Sequence, residues 1–463
     1  MLGLDRCAVR MGPLNFYTPH TAQALSILRQ MRRFETISAV EQRQQQEKQL
    51  KNLLNHALKY SVFWQERLAN LFKHKECIRD FNLLDLPILT RYDLQQSFHD
   101  IKSRWGSVGD NDIYTSISSG STGVPVRVEK YKNIQEPIDR ASALLDLQWH
   151  KRNPNGSIAF IGFGTKDQEN KTWGGFYNEL GYHGKYFTRP IVKYSTEEHL
   201  EWLSKIRPNY IKASPFLIEE LANLAIDTNR NLRIEHIISM SERVTPKQRR
   251  LAESVFGAKI IDRYSCEETG MLALQCPHEN HLHVLSANNL VEIVNSEGKP
   301  CETGEIGRVL VTNLYSYAMP IMRYELGDLA EWSDNCKCGI RLPILGKLWG
   351  RIRHRAIRLD GTEFPMGFLG DDLGKILKIK SFRTKQYENK DLELELVVDN
   401  ALSDYDLKFI NQIFMDNGFA GLNLGINQVD KITWPENLKR DEFMRVSGVG
   451  NFAERKILYR TVS

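Results

Sequence analysis

The 463-residue chain has little of what marks an exported or membrane-embedded protein. No apolar run is long enough to span a bilayer. The opening Met1-Leu2-Gly3-Leu4-Asp5-Arg6-Cys7 meets charge within a few residues, unlike a secretory leader. The expected location is the cytoplasm, with no membrane span. Cysteine is sparse and odd in number, 7 in all, which argues against a disulfide framework. There is no internal repeat and no low-complexity tract beyond Gln44-Gln45-Gln46. No Lys/Arg stripe interleaved with aromatics is present, so no nucleic-acid partner is expected. The net charge of +5 is a mild excess that suits an anionic small molecule.

What is present is ordinary for a globular protein: 41% hydrophobic and 26% charged residues. The length favours two domains. From about Glu41 to Phe72, Leu50, Leu53, Leu54, Ala57 and Leu58 recur at helical spacing, and a helix packed on its own domain is the expectation. Strands are predicted at Asp112 to Ile117 and Val124 to Tyr131. Short strands (Ser157 to Phe163, Tyr210 to Ala213, His236 to Met240) then alternate with helices (Ser195 to Ile206, Pro215 to Ile226, Pro246 to Phe256). That alternation predicts an α/β fold with a largely parallel sheet. Strand and turn follow from Val284 to Val311. Beyond the charged connector at Gly350-Arg351, a smaller region holds strands at Leu392 to Val398 and Ile432 to Trp434 and a helix at Ser403 to Asn417. The boundary is set there, giving a large domain over 1–349 and a small one over 350–463.

Between the first two strands lies Ser118-Ser119-Gly120-Ser121-Thr122-Gly123. Phosphate oxygens suit backbone N–H groups on a tight loop and hydroxyl side chains. Gly120 and Gly123 would let the backbone approach a ligand, and Pro125 would stiffen the exit. No Gly-Lys-Ser/Thr follows, so this is not a Walker A loop. Alone, the run reads equally well as a polar hairpin turn.

Three further segments follow in order: Tyr264-Ser265-Cys266-Glu267-Glu268-Thr269-Gly270, Met319 through Arg323-Tyr324-Glu325-Leu326-Gly327-Asp328, and Gly350-Arg351 with Asp360-Gly361. With the Ser/Gly loop they resemble the phosphate loop, the Tyr-Gly-x-Thr-Glu, the Arg-Tyr-x-x-Gly-Asp and the hinge motifs of the adenylate-forming (acyl-CoA synthetase and adenylation domain) superfamily. Ser241-Glu242-Arg243-Val244-Thr245-Pro246 is similar to its phenylacetate–CoA ligase and CapK-like branch. The resemblance implies a large N-terminal adenylate-forming domain with mixed sheets and a small, mobile α+β C-terminal domain. It implies an ATP-dependent ligase that makes an acyl-AMP from a carboxylic acid and passes the acyl group to CoA or to an amine or hydroxyl acceptor. A homodimer is compatible with it.

The site it implies is specific. Ser118, Ser119, Gly120, Ser121, Thr122 and Gly123 would hold ATP phosphates, Tyr264 the adenine, and Asp328 the ribose hydroxyls, with Ser241 and Glu242 in the same ATP/AMP set. Glu268 would carry Mg²⁺, Arg351 would meet ribose or phosphate, and Thr122 joins these two as catalytic. Two departures stand out: Ser265 replaces the family's Gly and Glu267 its Thr. Asn451 occupies the slot of the usual C-terminal lysine, and Arg353-His354 the usual acidic hinge pair. Loss of such a positioned charge costs roughly 100- to 1000-fold in rate. Lys456 or Lys439 from a shifted position, a different geometry or acyl donor, and a nucleotide-binding protein without turnover are the three readings left open.

Cys276, His283, Cys336 and Cys338 offer three thiolates and an imidazole, a tetrahedral structural Zn²⁺ set, with His278 and His281 as competing ligands. The relatives' resemblance supports this. For the acid itself, Ile161 to Lys166, Trp173 to Tyr177 and Ala213 to Phe216 are the candidate pocket segments, with Phe163, Trp173, Phe176 and Tyr177 as its walls.

Overall fold

The structure, a computed structural model, describes residues 17–71, 82–104, 112–118, 125–334, 336–351, 354–434, 442–448 and 459–460. The chain divides into two compact units: 1–242, 251–326 and 331–347 form the first, and 243–250, 327–330 and 348–463 the second.

The first unit opens on helices Pro19–Phe34 and Ala39–Tyr60. Ser38 and Glu41 form a reciprocal capping box that starts the longer helix. Its buried stripe is Gln42, Leu50, Leu53, Leu54 and Ala57, and Gln42 Nε2 donates to the carbonyls of Phe34 and Arg341. The amphipathic face is therefore spent inside its own unit. The helix stops at Tyr60 rather than Phe72: Ser61 turns extended, its hydroxyl donating to Asp100 O, and a separate helix Val62–Arg67 follows.

A six-stranded sheet runs in the order Gln168–Asn170, Tyr186–Pro190, Ile158–Gly162, Tyr210–Ala213, His236–Ser239, Lys259–Ile261. All pairs are parallel except the short edge strand Gln168–Asn170. Crossover helices such as Thr196–Ile206 and Pro215–Asp227 link the parallel strands. Parallel strands are buried on both faces, hence the unbroken apolar content of Ile158, Ala159 and Ile161 or Ile237 and Ile238. A seven-stranded sheet follows in the order Asn289–Val294, Gly307–Asn313, Tyr324–Ser333, Ile344–Arg351, Leu282–Val284, Gly270–Gln275, Arg263–Cys266. The hairpin Ile113–Ile117 with Arg127–Tyr131 stands apart as a two-stranded ladder.

In the second unit, Phe443–Arg445, Ile379–Gln386, Leu392–Val398, Leu424–Gln428 and Tyr459–Arg460 form a five-stranded sheet. Phe368, Phe414 and Phe419 pack with Leu394, Leu396 and Ile410 as its core. Ile432 to Trp434 forms no strand. Ile432 is buried, but the Thr433 carbonyl takes a side-chain bond from Arg383 instead of a ladder partner. No helix among the described residues is long and apolar enough to cross a membrane.

Candidate active site

The hairpin presents Ser118 at its inner end. Ser118 N donates to Val126 O, and Val126 N returns a bond to Ser118 Oγ, closing the stem of the Ser/Gly loop. Ser119, Gly120, Ser121, Thr122 and Gly123 lie outside the described residues.

Glu267 and Glu268 separate cleanly. Glu267 is exposed, and its carboxylate accepts from Ser116 on the hairpin while Lys130 Nζ donates to its carbonyl. Glu268 is buried, with Tyr324 Oη donating to its Oε1 at 3.1 Å. Burial, with the Glu268 charge beside it, raises the Tyr324 phenol far above its ordinary value, so it stays a donor. Arg91 Nη1 lies 4.0 Å from the same Oε1, and Arg91 Nη2 donates to Ser118 Oγ. One guanidinium thus touches both the loop stem and the buried carboxylate.

The segment after Glu268 is held tightly. Asn313 Nδ2 donates to Thr269 O at 3.0 Å, and Thr269 Oγ1 meets Cys266 Sγ. Gly270 has φ +85°, a left-handed backbone that favours glycine. A small recess, partly open to solvent, is lined by Glu268, Asn313, Tyr131, Gln135, Tyr315 and Tyr317. Tyr264 is buried on the strand Arg263–Cys266. Ser241 is exposed with φ +72°, an unusual backbone for a residue with a Cβ, and Glu242 beside it is half-buried.

Asp328 and Arg351 are in the second unit, where Arg351 Nε contacts Asp328 Oδ1 at 3.1 Å. Their motif neighbour Arg323 is a structural tie. It is buried and spans the carbonyls of Leu84 and Leu86 and the Glu292 carboxylate. Arg353, Lys439, Asn451 and Lys456 lie outside the described residues.

The thiols and imidazoles converge. Ligand atoms of Cys276, His281, His283 and Cys336 all lie within 4.8 Å of one another, and Cys338 Sγ is 3.3 Å from His283 Nε2. His278 contributes only its backbone N–H, donated to Cys276 Sγ. The donor set fits a thiophilic divalent ion. His281 Nε2 is buried without a hydrogen-bond partner, and burial pushes the Cys338 thiol up to about 12, with Cys336 and Cys276 adding to it. A cation would satisfy the first and reverse the second. Among the pocket candidates, Trp173 and Tyr177 stack edge-on at 5.4 Å, Phe176 is buried in core, and Phe163 is exposed.

Sequence motifs pointed to Glu268 but not to Arg91, whose only local sign is the Thr90/Asp93 capping box that starts its helix. Asn313 was likewise invisible as a contact.

The fold is that of adenylate-forming CoA ligases. A crystal structure of 2-hydroxyisobutyryl-CoA ligase in the postadenylation state, in complex with 2-HIB-AMP, superposes with TM-score 0.73 and 16% identity, covering 89% of this chain and 91% of that one. In sequence, the phenylacetate-coenzyme A ligase of Thermus thermophilus is 25% identical over 352 residues, 71% of this chain and 75% of the relative. The Pseudomonas putida phenylacetate-coenzyme A ligase is 24% identical over 378 residues, 76% and 79% of the two chains. No protein-family model matches. The chain is thus similar in sequence to phenylacetate–CoA ligases and shares the fold that its motifs implied.

Proposed function

We propose that the protein is an AMP-forming carboxylate ligase: it joins a carboxylic acid to the α-phosphate of ATP, expels pyrophosphate, and passes the acyl group to CoA or to an amine or hydroxyl acceptor. The observation that supports this most is the buried Glu268 carboxylate, oriented by Tyr324 and sharing Arg91 with the stem of the Ser/Gly loop. Phosphoryl chemistry of this kind depends on alignment and charge neutralisation. Arg91 offers fixed positive charge beside Ser118, where phosphate oxygens would sit in the loop Ser118 to Gly123. Tyr324 locks the Glu268 carboxylate in one rotamer, presenting an oxygen to a cation. Glu268 would hold Mg²⁺, which neutralises phosphate charge when bound. Asp328 supplies acceptors suited to ribose hydroxyls, and Arg351 holds it in place. Residues 1–349 would form the nucleotide- and acid-binding domain and 350–463 the mobile partner. Cys276, Cys336, Cys338 and His283, with His281 as alternate, would hold a structural Zn²⁺ that pins the turn between residues 276 and 281.

The reading is tested by pyrophosphate release from ATP with a panel of aryl and alkyl acids, with and without CoA. Glu268→Gln is expected to lower the rate about 100- to 1000-fold with an unchanged melting temperature. ATP binding without release for any acid would sink the ligase reading. For the metal, Co²⁺ substitution is expected to give thiolate charge-transfer absorption that disappears in Cys336→Ser.

A further inference from the structure

Four charged side chains distant in sequence meet in the first unit. Asp146 lies near the end of the helix Lys132–Trp149, and Arg152 just beyond it. Arg263 opens the strand Arg263–Cys266, and Lys212 lies within the interior strand Tyr210–Ala213. Asp146 Oδ2 accepts from both Arg152 and Arg263. Lys212 is in electrostatic reach of Asp146 and Arg263, and its ammonium sits 4.6 Å from the centre of the Phe160 ring. Among the described residues, no hydrogen bond or ion pair holds that ammonium.

The charge does not balance. Three cations (Lys212, Arg152, Arg263) face one carboxylate, an excess of two positive charges. His150 and His236 do not change the count, since burial holds both imidazoles below their ordinary range, His150 at about 4. Burial, with Arg263 beside it, lowers the Lys212 ammonium to about 8. Arg152 is 4% exposed, and its Nη1 is buried without a partner, as is Arg263 Nε. Interior charges are normally matched by an opposite charge and by hydrogen bonds. Asp146 Oδ1 is buried without a hydrogen bond as well, so the imbalance in this cluster is one of charge.

The cluster is not sealed on its Lys212 side. Lys212 and Phe160 sit on interior strands yet keep part of their surface accessible, as do Trp173, Tyr177 and Tyr186. Tyr177 is in electrostatic reach of Arg263, Arg152 and Asp146, and its ring meets Trp173 edge-on. Arg263 is five residues from Glu268 along the chain, a span of roughly 17 Å at most for extended backbone.

We propose that this cluster is the distal end of the acid pocket, and that the acid being activated carries a second anionic group, which Lys212 and Arg263 bind. The proposal rests on the ligase reading above. The second group is a carboxylate or a phosphonate; both present oxygens to an ammonium and a guanidinium. Trp173 and Tyr177 flank the carbon chain between the two ends.

The test compares pyrophosphate release for matched acids: butanoate with glutarate and 3-phosphonopropionate, and phenylacetate with 4-carboxyphenylacetate. The charged members are expected to be preferred at least tenfold in kcat/KM. Lys212→Met should raise their KM on the order of 100-fold with a smaller change in kcat, the size expected when one partner of an enclosed charge pair is removed. Lys212→Arg, which keeps the charge, should retain the preference, and separates loss of charge from loss of fold. Glutarate against 3-phosphonopropionate tells which anion fits. Preference for the neutral acids, or a charged-acid preference that survives Lys212→Met, overturns the proposal while leaving the ligase reading intact. Release with no acid at all overturns both.

Discussion

Among the described residues Asp146, Glu363 and Glu395 are each held by two cations, and the settings of the first and last differ. Asp146, in the first unit, is fully buried between Arg152 and Arg263. Glu395, in the second, lies on a sheet face with Arg383 at 2.7 Å and Lys385 also paired to it. Asp146 and Arg152 keep 0% and 2% of their side-chain surface in water, against 11% for Glu395 and 20% and 18% for Arg383 and Lys385; Arg263, at 16%, is the one solvated member of the Asp146 group. Water and mobile ions can compensate the excess charge around Glu395. Around Asp146 solvent reaches only the Arg263 side, and the Asp146–Arg152 pair must be balanced by protein or ligand. The same ion triad is therefore a local sheet clasp in one unit and a ligand-poised cluster in the other.

The contrast breaks first at Asp146. Asp146→Asn leaves Arg152 enclosed, and Arg263 partly so, without their anion and is expected to destabilise the first unit by about 3–5 kcal/mol, measured by urea denaturation. A change under 1 kcal/mol would mean that the cluster is hydrated like a surface site. Acid is the next probe. His150 is held neutral when folded, so the unfolded chain takes up its proton first. Stability should fall as pH drops from about 6.5 towards 4, by on the order of 3 kcal/mol. His150→Gln should remove that share of the fall, while the other histidines held below their ordinary range, His236 and His199 among them, keep theirs. For Asp146, burial opposes ionisation but Arg152 and Arg263 outweigh it, holding the carboxyl at about 2. Its contribution is complete above the ordinary carboxylate range and should be lost only as pH falls from about 4 to 2. Circular dichroism melts across pH would show the two windows. Smallest is Glu395→Gln, expected to cost about 1 kcal/mol and to shrink in 1 M salt, where screening reaches a half-solvated pair but not an enclosed one.

Much of the fold was legible because periodicity survives in single sequences. The stripe Leu50, Leu53, Leu54, Ala57 and the parallel strands around Ile158, Ile211 and Ile237 are buried as their spacing implied. What failed was local: the helix ends at Ser61 because its hydroxyl finds Asp100 O, a contact no pattern announces. The site divides the same way. Motifs marked Glu268, Asp328 and Arg351, but burial, not order, distinguishes Glu268 from Glu267. Arg91 and the Asp146 cluster depend on folding that joins remote segments, and nothing in their neighbourhoods betrays it. The Cys/His set was readable as a composition, but with Cys338 also at hand, the choice between His281 and His283 is a matter of geometry.

The ties that hold the N-terminal helices carry a consequence for synthesis. Gln42 bonds to a carbonyl 299 residues further on, Trp64 Nε1 to one 256 residues away, and Arg323 reaches back 239 residues to Leu84. In a nascent chain the helix Pro19–Phe34 can already lie against Lys132–Trp149, but the helix Ala39–Tyr60 cannot complete its ties until residue 341 has left the ribosome. Until then part of the apolar stripe of that second helix is uncovered. Slowing translation before residue 341 should lengthen the time this stripe is open to chaperones and proteases, and fragments ending there should be captured while longer ones escape.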